Sequence, residues 1–129
     1  MVKHGVLVDT SVWVDHFRNH NQTLDSLLHQ NRVLVHPLVI GEIACGTPPA
    51  PRAQTLNDLS RLPATAQASL SDTIALIDRE ALYGAGCGLI DMLLLASTLI
   101  TPGARLWTLD KHLASIAKRL NVSEAIKVP

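Results

Sequence analysis

The stretch of sequence that decides the fold is Gly5-Val6-Leu7-Val8-Asp9, a short apolar run that stops at an acidic residue. A run of this length and composition is typical of a strand that is buried on both faces. Thr10 and Ser11 come next, and both residue types are suited to capping a helix. A buried strand that leads directly into a helix is the opening unit of a parallel α/β fold.

Two later segments repeat this pattern. Val33-Leu34-Val35 is a second candidate strand, and Pro37 after it suits the first turn of a helix. A third strand over residues 105–109 stops at Asp110, and a helix is predicted to follow. We therefore expect one domain over residues 1–129, an α/β/α sandwich with a central, mostly parallel sheet. The other predicted elements are helices over 23–30, 52–62 and 89–99, a helix that opens at Ser71 and Asp72, a glycine-rich loop over 84–88 and a short last strand over 125–128.

The composition excludes several classes of protein. Hydrophobic residues make up 47% of the 129 residues, enough for a core, and the formal net charge is zero, which argues against bulk electrostatic binding of nucleic acid. It does not exclude nucleic acid as a substrate. No apolar stretch is long enough for a membrane span, and no signal peptide is recognised, so we expect a cytoplasmic protein. Cys45 and Cys87 are expected to be free thiols, buried as small apolar residues.

Four carboxylates stand at positions where the predicted fold brings chain segments together. Asp9 and Asp110 end two strands, Glu42 lies in the helix after the second strand, and Asp91 opens a very apolar helix. An aspartate after a strand is more often a cap, but the apolar surroundings of Asp9 and Asp91 make the set more specific. Because like charges at short range repel, such a set requires a cation, and all-oxygen ligands suit Mg²⁺ or Mn²⁺ rather than zinc. The pattern therefore predicts metal-assisted hydrolysis of a phosphodiester bond.

The same residues carry a resemblance to a known family. The sequence resembles the PIN domain, and in particular the VapC-type toxins of prokaryotic toxin–antitoxin pairs. The resemblance covers almost the whole chain in order. It rests on Val8-Asp9-Thr10-Ser11-Val12-Trp13, on Glu42 with Gly46 four residues later, on Leu89-Ile90-Asp91, and on Leu106-Trp107-Thr108-Leu109-Asp110.

The resemblance implies a Mg²⁺- or Mn²⁺-dependent endoribonuclease that forms a homodimer and is inhibited by an antitoxin, encoded by the adjacent gene, which occludes the active site. By position, Ser11 would orient a ligand or the phosphate, and Thr108 would support the last aspartate. Many relatives carry a further acid where Lys111, His112 and Leu113 stand here, so one or two metal ions remain possible. The catalytic residues implied are Asp9, Glu42, Asp91 and Asp110, and the metal ligands implied are Asp9, Asp91 and Asp110.

Other residues and functions remain open at this point. Lys111 and Arg18 are candidate RNA contacts, although Lys111 could equally be a surface charge and Arg18 could pair with Asp15. For His112 a solvated position is favoured over a phosphate contact. A PIN-like module that binds RNA or a partner without cleavage is the alternative function. A phospho-receiver domain or a metal-dependent adhesion module fits poorly, because Asp9 is not one of an acidic pair and Trp13 replaces a required serine.

Overall fold

The computed structural model describes residues 4–124. Within this range the chain forms three strands and seven helices that alternate along much of the sequence. In chain order they are β1 (Val6–Val8), α1 (Thr10–Asn19), α2 (Gln22–His29), β2 (Val33–Leu34), α3 (Pro37–Cys45), α4 (Arg52–Ser60), α5 (Leu70–Arg79), α6 (Leu89–Leu99), β3 (Arg105–Trp107) and α7 (Lys111–Arg119).

The sheet is parallel and has β1 in its centre, in the order β2-β1-β3. All three residues of β1 are fully buried. Since alternate side chains of a strand point to opposite faces, both faces of the sheet are covered, which confirms the predicted α/β architecture. Val8 pairs with Trp107, so β1 and β3 end side by side. The residues that follow these two strands therefore lie at one edge of the sheet.

Several element boundaries differ from the sequence-based expectation, each for a local reason. The third strand ends at Trp107 rather than at residue 109, because the Leu109 N–H donates to the Ser11 hydroxyl instead of continuing a strand ladder. Helix α5 begins at Leu70, one residue before Ser71, since the Ser69 hydroxyl accepts the N–H of Asp72 and caps the helix. The predicted strand over residues 125–128 lies outside the described residues.

Helix α1 also begins differently from the prediction. Asp9 occupies the capping position, Thr10 is already helical, and the side chain of Asp9 makes no capping hydrogen bond. The hydroxyls of Thr10 and Ser11 are thus engaged elsewhere. Among the described helices, none combines the length and the hydropathy that a membrane span requires. Of the two free thiols, Cys45 is exposed and Cys87 is half-buried, so the predicted burial of Cys45 was wrong.

Candidate active site

The four acidic residues named from the sequence come from four elements and share one region of the molecule. Asp9 follows β1 and is 6% exposed, and its N–H donates to the Trp107 carbonyl at the end of β3. Asp110 lies three residues beyond Trp107. Glu42 lies on α3 and Asp91 in the first turn of α6, and both are half-buried.

The pKa of the Asp91 carboxyl depends on the burial and the charge of this region. Burial raises the pKa of its carboxyl above the ordinary value, the N–H of Gly88 opposes that rise, and the charges of Asp9, Asp110 and Glu42 raise the pKa further. All three other acids are therefore close enough to interact electrostatically with Asp91. The fold brings the predicted set of four together, and we call the region that they share the acidic cleft.

Asp9 is held by two hydroxyl groups. The Oγ of Ser11 donates to Oδ2 of Asp9 at 2.7 Å, and the Oγ1 of Thr108 donates to the same oxygen at 2.8 Å. The Thr108 hydroxyl also accepts the N–H of Asp110 at 3.0 Å. Thr108 therefore links the carboxylate after β1 with the backbone after β3, and it supports Asp9 as well as Asp110.

The other three carboxylates are each held by hydrogen bonds to one oxygen. Oε1 of Glu42 accepts the Thr10 hydroxyl at 2.7 Å. Oδ2 of Asp91 accepts the Gly88 N–H at 3.2 Å, and Oδ1 of Asp110 accepts two N–H groups from the first turn of α7. Because each acid is restrained through one oxygen, its orientation is set without using the second oxygen.

The second oxygens are the groups that could bind a metal ion. Among the hydrogen bonds of residues 4–124, none engages Oδ1 of Asp9, Oε2 of Glu42, Oδ1 of Asp91 or Oδ2 of Asp110. Within the same residues, no three acidic, histidine or cysteine side chains converge closely enough to coordinate one ion as they stand. Mg²⁺ commonly takes only one or two protein carboxylates and keeps several waters, so this open set of oxygen donors fits such an ion.

Two residues that position these acids were not recognised from the sequence. Thr10 holds Glu42, although the two residues lie 32 positions apart, and the N–H of Gly88 holds Asp91. The only signal for Thr10 was its position directly after Asp9, at the sheet edge where the acids were expected. Ser11 binds Asp9 and the Leu109 N–H, so in this structure its hydroxyl orients a carboxylate, and the ligand contact expected for it stays a prediction.

Cys87 lies beside the acids, in the loop before α6. Burial raises the pKa of its thiol to about 11, and the charges of Asp91 and Asp110 contribute to the rise. The thiol is therefore protonated at neutral pH, and the site contains no thiolate nucleophile at this position.

The two candidate RNA contacts lie in different surroundings. Arg18 is exposed and borders a groove of about 390 Å³ that Glu42 also lines. No ion pair joins Arg18 to Asp15 within the described part of the chain, where Asp15 accepts hydrogen bonds from asparagine side chains instead. Lys111 borders a separate depression along α7, together with Lys118, and none of the four acids lines that depression.

Comparison with known proteins assigns this arrangement to a family. The PIN domain family matches residues 6–119, which include all four acids and every strand found within residues 4–124. The chain belongs to the PIN domain family. All four acids therefore lie within the matched region.

The PIN domain is also similar to curated relatives over nearly its full length. Ribonuclease VapC32 from Mycobacterium tuberculosis, in strain CDC 1551 / Oshkosh and in strain ATCC 25618 / H37Rv, is 37% identical over 123 residues. The match covers 95% of this chain and 98% of the relative. The resemblance to VapC-type PIN domains is thereby confirmed.

Proposed function

We propose that this PIN domain is a Mg²⁺- or Mn²⁺-dependent endoribonuclease of the cytoplasm, the toxin component of a type II toxin–antitoxin pair. One observation carries the proposal: four carboxylates share one region near the ends of β1 and β3, and each is oriented through a single oxygen while the other is left without a described hydrogen bond. The similarity to Ribonuclease VapC32 supports RNA as the substrate.

The chemistry follows from the charges and the donors of the site. A bound Mg²⁺ or Mn²⁺ would supply an activated water and would neutralise charge on the phosphate. In the proposal, Asp9, Asp91 and Asp110 offer their second oxygens as ligands. Glu42, held by Thr10, orients water at the edge of the cleft. Ser11 and Thr108 keep Asp9 in one orientation, so less rotamer freedom is lost when the site is assembled.

The test of cleavage uses purified protein without any partner, total RNA, and Mg²⁺ or Mn²⁺ against EDTA. We expect discrete fragments that appear only with the metal and disappear in Asp91→Asn. Asp72→Asn is the matched control, because Asp72 lies in the first turn of α5 and is exposed. If folded wild-type protein cleaves no RNA with either metal, the alternative of a binding module without cleavage replaces the proposal.

The antitoxin is part of the proposal, and the groove beside Glu42 supports it. Apolar side chains line much of this groove, among them Val14, Phe17 and Ile43. A partner segment bound there would cover Glu42 and so close one side of the cleft. Adding the product of the adjacent gene should stop cleavage, and Phe17→Glu should remove that inhibition while leaving a folded protein.

The homodimer is likewise proposed from the resemblance, and α5 offers a surface that would suit it. Leu70 and Ile74 lie one helical turn apart and are 52% and 49% exposed. Exposed apolar patches of this kind often mark protein interfaces. Sedimentation should give a dimer for the wild type and a monomer for Ile74→Asp. A wild-type monomer at micromolar concentration would contradict this part.

A further inference from the structure

We propose that the ring of His112 is a positioning element that clamps the glycine-rich loop before α6 and thereby orients Asp91. The proposal rests on the function proposed above, because it assigns Asp91 and Asp110 to the active site. His112 itself is not expected to touch RNA. The inference comes from a close contact between the ring and Gly86 that the sequence pattern did not indicate.

The contact is defined by what a side chain at residue 86 would meet. A Cβ atom added to Gly86 would lie 3.1 Å from Cδ2, 3.2 Å from Cγ and 3.3 Å from Nε2 of His112. Three ring atoms at nearly equal distances mean that the imidazole lies over the Gly86 backbone. There is no room for a methyl group between them unless the ring moves.

Both ends of this contact lead to an acidic residue. On one side, the His112 N–H donates to Oδ1 of Asp110 at 2.9 Å, so the ring projects from the turn that holds Asp110. On the other side, Gly88 lies two residues beyond Gly86 and its N–H donates to Oδ2 of Asp91. The ring therefore joins the segment that carries Asp110 to the loop that orients Asp91.

The loop needs such a restraint because its own chain is permissive. Gly84 and Gly86 both adopt positive φ, at 69° and 85°, which glycine does without steric cost. A loop built on such residues has many alternative conformations. The His112 ring approaches Gly86 from outside this loop, so in the proposal it restricts the conformations from which the Gly88 N–H reaches Asp91.

Gly84 provides a matched control for Gly86. Gly84→Ala and Gly86→Ala both place a side chain at positive φ, so both strain the backbone in the same way. A Cβ at Gly84, however, would have no atom within 4 Å. The difference between the two variants therefore isolates the collision with the His112 ring.

The first readout needs neither metal nor RNA. Amide hydrogen exchange is measured at Gly88 in the wild type and in the Gly84→Ala, Gly86→Ala and His112→Ala variants. We expect exchange at Gly88 to accelerate in Gly86→Ala and His112→Ala and to change less in Gly84→Ala. The double variant Gly86→Ala/His112→Ala should exceed His112→Ala only by the backbone strain that Gly84→Ala also shows, because the ring with which the methyl collides is gone. Equal effects at Gly84 and Gly86, adding to that of His112→Ala, would overturn the proposal.

The second readout is RNA cleavage, which separates positioning from contact with RNA. For the loss of a group that orients a ligand carboxylate, we expect His112→Ala to lower kcat or Mn²⁺ affinity roughly 10- to 100-fold, with little change in KM for RNA. His112→Phe keeps a flat ring on Gly86 and should restore most of that loss, whereas His112→Gln should not. Rescue by Gln but not by Phe, or a rise in KM alone, would indicate a polar contact with RNA and refute the clamp. Absence of cleavage in the wild type would count against the proposed function only, since the exchange readout still decides the clamp.

Discussion

Replacing Thr108 with valine tests whether the hydroxyl shared by two strand ends organises the active site. The substitution keeps the shape of the side chain and removes only its hydrogen-bonding capacity. Thr108 is 8% exposed, and its Oγ1 donates to Oδ2 of Asp9 while accepting the N–H of Asp110. The variant therefore removes one donor from a buried carboxylate and one acceptor from the backbone that leads to the last acid.

The expected magnitude follows from these two bonds. A hydrogen bond to a charged group contributes about 1.5–3 kcal/mol to stability, and one between neutral groups contributes about 1 kcal/mol. The metal-free variant should therefore have a lower free energy of unfolding by about 2.5–4 kcal/mol, the sum of these two contributions. Loss of an outer hydrogen-bond partner of a metal ligand typically lowers metal affinity or activity roughly 10- to 100-fold. The same range is expected for RNA cleavage at limiting Mn²⁺.

The assay compares urea unfolding without metal and cleavage rate against Mn²⁺ concentration. Thr98→Val is the control, because Thr98 is 1% exposed and its hydroxyl donates to the Leu94 carbonyl inside α6. We expect the control to lose some stability and to keep the wild-type Mn²⁺ midpoint. If Thr108→Val also keeps that midpoint, the hydroxyl does not position Asp9 for the metal, and the reasoning fails at its main step.

Three further predictions concern charge at and around the site. The folded-state pKa of Asp91 is raised, so ionising this carboxyl costs stability as the pH rises above about 3.8, the usual pKa of aspartate. Metal-free Asp91→Asn should therefore melt at a higher temperature than the wild type at pH 7 while losing cleavage. A lower melting temperature would contradict this. Burial lowers the pKa of the His36 imidazole, whose Nδ1 accepts the N–H of Leu38. Stability should be complete above about pH 6.5, the usual pKa of histidine, and should be lost as the pH falls from there through the lower folded-state pKa. A melting series of wild type and His36→Gln checks that the variant loses this dependence. Arg18→Ala, which alters the groove beside Glu42, should raise KM for RNA with kcat unchanged, whereas a drop in kcat alone would exclude a role in binding.

Much of the fold could be predicted from local patterns. The apolar run before Asp9 indicated a strand buried on both faces, and Pro37 indicated the start of α3; the structure has both features. The boundaries were harder, because they depend on bonds between distant residues. Residue 109 leaves the strand because its N–H is taken by Ser11, a partner 98 positions away in the sequence. A local sequence pattern contains no information about a hydrogen bond between such distant residues.

The proximity of the four acids was also predictable, since strand ends in a parallel sheet share one edge and buried charge is costly without a purpose, whereas their catalytic role stays a prediction. The residues that hold these acids by hydrogen bonds were harder to predict. The sequence motif suggested Thr108 as a support for Asp110, whereas its hydroxyl also donates to Asp9. The partnership of Thr10 with Glu42 and the contact of His112 with Gly86 depend on how separate elements pack. The sequence pattern favoured a solvated His112, and the structure does expose this residue. The pattern did not indicate the contact with Gly86 on which the proposed clamp rests.

The hydrogen bonds to the four carboxylates affect the cost of binding a cation as much as the carboxylates themselves do. Four free carboxylates in one cleft would rotate apart to reduce repulsion, and a cation would then have to order each of them on binding. Here hydroxyls and N–H groups of neighbouring elements each take one oxygen, so part of that ordering cost is met when the chain folds. The pKa of Asp91 is raised first by burial and then by the charges of the other three acids, so some repulsion remains after this ordering. If the cleft binds a cation as proposed, the metal-free protein should be destabilised by the charge of its own cleft and stabilised when that charge is removed.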